Sequence, residues 1–209
     1  MAHNSLLKRY RDSEHQAGFG LVELMVSISV MVIVTSVILA KHTSYNGSSL
    51  LRSQLYELAL TVREMQLLAV SSTRVATSTS AGYDNVYGLV FSTSTPNSFV
   101  IFKDADGDYY YDSGSEEFGS QGVIDARYEV SRIELLGTGA DVGQRESITI
   151  LFERPNFDAL FYKGVNTEVL AGVNTVEIDV RLKGTSGTGP NEVRTLEITR
   201  AGQIAVKNL

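Results

Sequence analysis

Two groups of side chains in this 209-residue chain have the type and spacing to do chemistry. The first is a single carboxylate. Glu23 is the one charged residue in the apolar run FGLVELMVSISVMVIVTSVILA, Phe19 to Ala40. An ionisable group inside such a run is costly and normally has a partner or a task. Glu23 lies near the start of the run, so its carboxylate either snorkels to an interface or pairs with a cation. The second group is the acidic stretch from Asp104 to Glu117, DADGDYYYDSGSEE, with four Asp and two Glu in 14 residues. Calcium takes six to eight oxygens, and alternating acids in a Gly-containing loop can turn several carboxylates toward one ion. An EF-hand needs Gly at its sixth position and Glu at its twelfth. Here Gly107 is fourth and Ser115 twelfth, which excludes that loop. Two readings remain: an irregular calcium site with Asp104, Asp106, Asp108 and Asp112 as ligands, or a solvated acidic hairpin tip.

Other chemistries are removed by composition. Cysteine is absent, which rules out disulfides, thiol catalysis and cysteine-ligated metal. The three histidines, His3, His15 and His42, all fall in the first fifth of the chain, so the region after residue 42 has no Ser–His–Asp or Cys–His machinery. The acids cannot flank a glycosidic bond, because they sit on one loop rather than across a cleft. No glycine-rich turn leads from a strand into a helix, so no nucleotide motif is present. A formal charge of -6 argues against a general nucleic-acid binder. The chain reads as a non-enzyme.

The elements that must position these groups are legible in outline. The 22 residues from Phe19 to Ala40 span roughly 33 Å as a helix, enough to cross a bilayer. Lys8, Arg9 and Arg11 precede the run and only Lys41 follows closely, which puts the N-terminus in the cytoplasm. The segment VILAKHTS supplies no clear signal-peptidase site. Asn46-Gly47 marks a kink or break. An amphipathic helix then follows, with Leu51, Leu55, Leu58, Val62, Met65, Ala69 and Ser72 on one stripe that packs on the protein's own sheet. Eight strand-like segments come next: YGLVFST, SFVIFKD, ARYEVSRIELL, ESITILFER, DALFYKG, TVEIDVRLKG, VRTLEITR and QIAVK. STPN joins the first two as a hairpin turn, and Val176, Ile178 and Val180 alternate with Glu177, Asp179 and Arg181 as a half-buried strand should. The fold expected is α+β, a long N-terminal helix with a transmembrane half and an amphipathic half, packed on an antiparallel β-rich domain of one sheet or two.

The stretch Gly18-Phe19-Gly20-Leu21-Val22-Glu23-Leu24-Met25-Val26, behind a basic leader, closely resembles the N-terminal motif of type IV prepilins and type II secretion pseudopilins. The resemblance implies that a prepilin peptidase cuts between Gly18 and Phe19 and that Phe19 is then N-methylated. It also implies that Glu23 pairs with the terminal amine of a neighbouring subunit's Phe during assembly. Gly20 departs from the family's more frequent Thr without touching the cleavage site. On this reading residues 1–18 are leader, 19–40 the transmembrane or fibre-core helix, 41–80 its amphipathic continuation and linker, and 81–209 the β-rich domain. The closing TLEITRAGQIAV resembles the H-type pseudopilin and fimbrial-T minor pilin group. DNA-binding members have two Arg beside the last Gly turn, whereas Gly202 here is followed by Gln203, Ile204 and Ala205. DNA binding is therefore not favoured. The partners implied are other pilin or pseudopilin subunits, the peptidase and an inner-membrane assembly platform, with the final location an extracytoplasmic pilus or pseudopilus. The competing reading is a membrane-anchored or pilus-tip binding module that captures DNA, a surface or a secreted partner.

Overall fold

The computed structural model of the protein describes residues 20–71 and 86–208 except 113, 154, 165–167, 188 and 190–191, and the side chains of residues 40–46 lie outside the description. The chain forms two units, one through Ser44 and one from Tyr45 onward. Helix α1 (Leu21–Ser71) contributes to both and is helical through Asn46-Gly47. The expected break there is not seen. Glycine costs a helix interior only about 1 kcal/mol relative to Ala, and the Gly47 carbonyl accepts a hydrogen bond from the Tyr128 hydroxyl at 3.3 Å.

In the first unit, Leu21–Leu39 is long and apolar enough to cross a membrane, and its side chains are exposed throughout. Four hydroxyls lie in this stretch. Ser27, Ser29, Thr35 and Ser36 each donate to the carbonyl four residues back, at 2.8, 2.8, 2.6 and 2.7 Å. That satisfies them within the helix, as an apolar surrounding requires.

The second unit carries two five-stranded antiparallel sheets. One contains β1 (Tyr87–Ser92), β2 (Ser98–Lys103), β3 (Gly122–Val123), β6 (Ser147–Phe152) and β7 (Ala159–Lys163), in the order β3-β2-β1-β6-β7. The other contains β4 (Tyr128–Gly137), β5 (Gly143–Arg145), β8 (Val173–Leu182), β9 (Val193–Thr199) and β10 (Ile204–Asn208), in the order β10-β9-β8-β4-β5. Eight strands coincide with the sequence segments. The two additional ones, β3 and β5, have two and three residues and show no alternation that periodicity could detect.

One core joins these elements. Leu51, Leu55, Leu58, Val62, Met65 and Ala69 of α1 are all buried against the inner faces of both sheets, among them Leu89, Phe91, Ile150 and Phe161 from the first and Ile133, Val176, Ile178 and Leu196 from the second. The helical stripe expected from the sequence is thus the packing surface. A polar bolt sits on the same face. Gln66 is buried and donates through Nε2 to the Phe157 carbonyl at 2.6 Å and the Gly202 carbonyl at 3.0 Å, while Arg63 Nη1 donates to its Oε1 at 2.6 Å. Gly202, in the β9–β10 turn, has a φ of 76°, and a Cβ there would lie 1.9 Å from the Phe157 carbonyl oxygen. Only glycine allows this approach.

The first sheet is covered on its second face as well. Val86, Phe102, Leu151 and Tyr162 form a smaller buried cluster, with Tyr109 and Tyr111 packed on it. β6 therefore buries Thr149 and Leu151 in addition to Ile148, Ile150 and Phe152.

Replacing Gln66 by Leu leaves the Phe157 and Gly202 carbonyls without their donor, the second of them buried, at about 1–3 kcal/mol for an unsatisfied buried group. The thermal midpoint of the detergent-solubilised chain should fall by about 4–8 °C. Leu60→Gln, on the exposed side of the same helix, should leave it within about 2 °C. Equal shifts for both would contradict the bolt.

Candidate functional site

Gly18 and Phe19 lie outside the described residues. Glu23 is placed in the first turn of α1, exposed, on a helix whose opening hydrogen bond runs from the Leu24 amide to the Gly20 carbonyl at 3.1 Å. A carboxylate in a first helical turn is favoured by the partial positive charge of the unpaired amides. Among the described residues no cation pairs with Glu23. Its side chain projects from an apolar helical surface that is exposed along its whole length. Chemically this is an acid that no described cation neutralises.

The acidic stretch forms the loop between β2 and β3. Its first acid and its fifth turn inward. Asp104 is buried, and its Oδ1 and Oδ2 accept the amides of Gly107 (2.7 Å) and Tyr109 (3.0 Å). Glu116 is also buried, accepting the Ala105 amide at 3.0 Å and the Asp112 amide at 3.3 Å. Asp106 and Asp108 are exposed and cap the amides two residues ahead, at 3.3 and 2.8 Å. The tyrosines between the acids carry the loop over the outer face of the first sheet. Tyr109 stacks on Tyr162 with centroids 6.1 Å apart, and Tyr111 meets Phe102 at 5.5 Å. Tyr111 donates its hydroxyl to Glu117 at 2.8 Å.

Asp104, Asp106 and Asp108 converge, each offering an oxygen within 4.8 Å of the others, while Asp112 is not part of this group. The set fits calcium in donor type and spacing. In number it supplies three of the six to eight oxygens the ion takes, so carbonyls and water would complete the shell. The Asp108 carboxyl is held above its ordinary range, first by partial desolvation and then by the charges of Asp106, Asp112 and Asp104, against the lowering effect of the Tyr110 amide.

The outer face of the second sheet is a lattice of charges. Asp179 is buried, accepting from Arg132 Nε at 2.6 Å and from the Thr195 hydroxyl at 2.6 Å. Arg132 also reaches Glu134. The Asp179 hydrogen bond raises the Arg132 pKa further, keeping it charged. The five basic residues of 181–207 all have partners. Arg181 pairs with Glu129 at 2.7 Å, and Lys207 with Glu197 and, at 3.6 Å, Glu177. Lys183 donates to Asn97 Oδ1 at 2.7 Å, Arg194 to the Val193 carbonyl at 2.9 Å, and Arg200 to the Ala171 carbonyl at 3.0 Å. These cations tie the chain to itself.

Three polar residues take on structural roles that sequence reasoning missed: Gln66, Glu116 and Asp179. Gln66 and Asp179 are buried with partners that only the fold brings near, such as Phe157 and Gly202 for Gln66, whereas buried Glu116 takes amides of its own loop. The one available signal was the place of Asp179 in the polar row of β8.

No curated protein and no solved structure matches the chain. One family model does: residues 14–39 match the prokaryotic N-terminal methylation motif. The matched stretch holds Gly18, Phe19, Glu23 and the apolar helix to Leu39, so in this segment the chain is similar to prepilin-type precursors.

Proposed function

We propose that the chain is a minor pilin or pseudopilin, a structural subunit that waits in the bacterial inner membrane and enters a type IV pilus or type II secretion pseudopilus. The observation that carries this reading is the methylation motif at residues 14–39, which runs into an exposed apolar helix. A peptidase on the cytoplasmic side cuts between Gly18 and Phe19, and the new amino group on Phe19 is methylated. In the assembled fibre, Glu23 of one subunit pairs with that amine on its neighbour. An unpaired charge in an apolar fibre core is penalised by desolvation, whereas a hydrogen-bonded opposite charge offsets the penalty. The pair therefore selects the register in which both charges meet. The alternative is a membrane-anchored or pilus-tip binding module that captures DNA, a surface or a secreted partner; capture of DNA has less support, since the basic residues of the last strands are already engaged.

Calcium at Asp104, Asp106 and Asp108 would be a brace for the loop in this reading and no part of a reaction. The ion would neutralise like charges that the loop otherwise holds together. A raised Asp108 pKa means that the folded state binds this proton more tightly than the unfolded one. Its contribution to stability is thus present at low pH and falls as pH rises through that pKa.

Intact mass from cells with and without a prepilin peptidase tests the main reading. The expected result is peptidase-dependent loss of residues 1–18 with one added methyl group, and no cleavage in Gly18→Val. An uncut chain in both strains would overturn it. For the loop, millimolar calcium at pH 7 should raise the thermal midpoint by about 3 °C or more in the full chain and not in an Asp106→Asn, Asp108→Asn double variant. The same shift in both proteins would place the ion elsewhere.

A further inference from the structure

The first sheet ends at β3 with an open backbone edge. Ile124 donates its amide to the Asn97 carbonyl at 2.8 Å, and Gly122 lies opposite Phe99. In an antiparallel ladder the residue between two such pairs turns its main chain away from the partner strand. Val123 is that residue. Its amide and carbonyl have no hydrogen bond among the described residues, and its side chain is 69% exposed. A groove of about 420 Å³ runs between residues 120–123 and one stripe of α1. The stripe is Gln54, Glu57, Thr61 and Glu64, whose spacing of three and four residues puts them on one helix side. Both glutamates are exposed, neither has a cationic partner among the described residues, and no Lys, Arg or His lines the groove. Gln54 braces one end, where its Oε1 accepts the Asp125 amide at 3.3 Å and its Nε2 donates to Glu57 at 3.4 Å.

We propose that this groove takes an extended basic segment of another protein, which pairs with Val123 as a further strand of the first sheet. Phe99 and Ile101 of β2 line the groove and pack on the core that α1 shares, so this face of the sheet looks toward the helix. One face of an added strand therefore meets the acidic stripe and the other meets solvent. Side chains alternate along a strand, so every second residue of the segment faces the acids. Glu57 and Glu64 lie seven residues apart, about 10 Å along a helix. That is too far to share one ion. It suits two long cationic side chains set two or four residues apart on a strand, about 7 or 13 Å. Main-chain bonds then hold the segment, and the glutamates select its side chains.

A second copy of this chain does not supply such a segment. Its Lys and Arg residues two or four apart are Arg9 with Arg11 and Arg181 with Lys183. The first pair lies in the stretch assigned above to the leader. The second lies in and directly after β8, where Arg181 pairs with Glu129 and Lys183 with Asn97. The occupant is thus a different protein, and the formal charge of -6 on this chain favours its approach if it is basic. Every residue that lines the groove belongs to the second unit, and the docking does not rest on the subunit reading.

The test uses the full-length chain in detergent and a fluorescent peptide of Ser and Thr with Lys at every second position. Two matched peptides carry Glu in place of Lys, or the same lysines on an N-methylated backbone that cannot pair with a strand. The lysine peptide is expected to bind and the glutamate peptide is not, while N-methylation should weaken binding by about tenfold or more. Glu57→Gln with Glu64→Gln should also weaken it by about tenfold, with the thermal midpoint of the chain within about 2 °C of wild type. Equal affinity for the plain and N-methylated peptides would mean simple attraction to an acidic chain and would overturn the strand pairing. Full affinity in the double variant would put the peptide elsewhere and overturn the groove. Failure of the lysine peptide to bind at millimolar concentration would overturn the docking altogether. The peptide comparison alone decides the strand pairing, whatever the double variant does.

Discussion

The buried stripe from Leu51 to Ala69 is the contact on which the second unit depends. Six side chains of one helix face fill the space between the inner faces of two antiparallel sheets, and no second helix among the described residues could replace them. The same helix carries Glu23 and the apolar span earlier in its length. A change that loosened the stripe would cost the domain its core. Gln66 adds direction to this apolar contact. Hydrophobic burial alone tolerates small slides and rotations, whereas two hydrogen bonds to the Phe157 and Gly202 carbonyls fix the helix against the β9–β10 turn.

The acidic loop illustrates how one set of residues can answer to packing before it answers to a ligand. Asp104 and Glu116 spend their carboxylate oxygens on backbone amides, and Tyr109 and Tyr111 between them roof the outer face of the first sheet. That roof explains why β6 is buried on both sides. It also separates two roles within the acidic run. Asp106 and Asp108 stay exposed beside Asp104 and can meet a cation, whereas Asp112 stands apart.

Helical periodicity was the most legible feature: every described residue of the stripe expected from the sequence is buried. Eight strands were readable because each is long enough for apolar alternation or a continuous apolar run. β3 and β5 were not, since two or three residues define no period. Asn46-Gly47 read as a break because turn propensity is local, and the helix runs through it at a cost of about 1 kcal/mol for the glycine. Buried polar groups were the least legible. Gln66 meets the carbonyls of Phe157 and Gly202, far along the chain, and Asp179 meets Arg132 across a β-bulge between Val130 and Arg132. Spacing along the chain cannot show such pairs. Glu23 was the opposite case: its oddity is visible in sequence alone, because an acid in an apolar run needs no fold to look out of place.

The most direct test of the account is the fate of the chain when only the charge at Glu23 is removed. Wild type and Glu23→Gln would be compared for leader cleavage and for recovery in sedimented fibres from the same cells. The account predicts that both are cut after Gly18, while the glutamine variant stays in the membrane fraction for want of a charge to meet the neighbouring Phe19 amine. Recovery of Glu23→Gln in fibres at the wild-type level would contradict it.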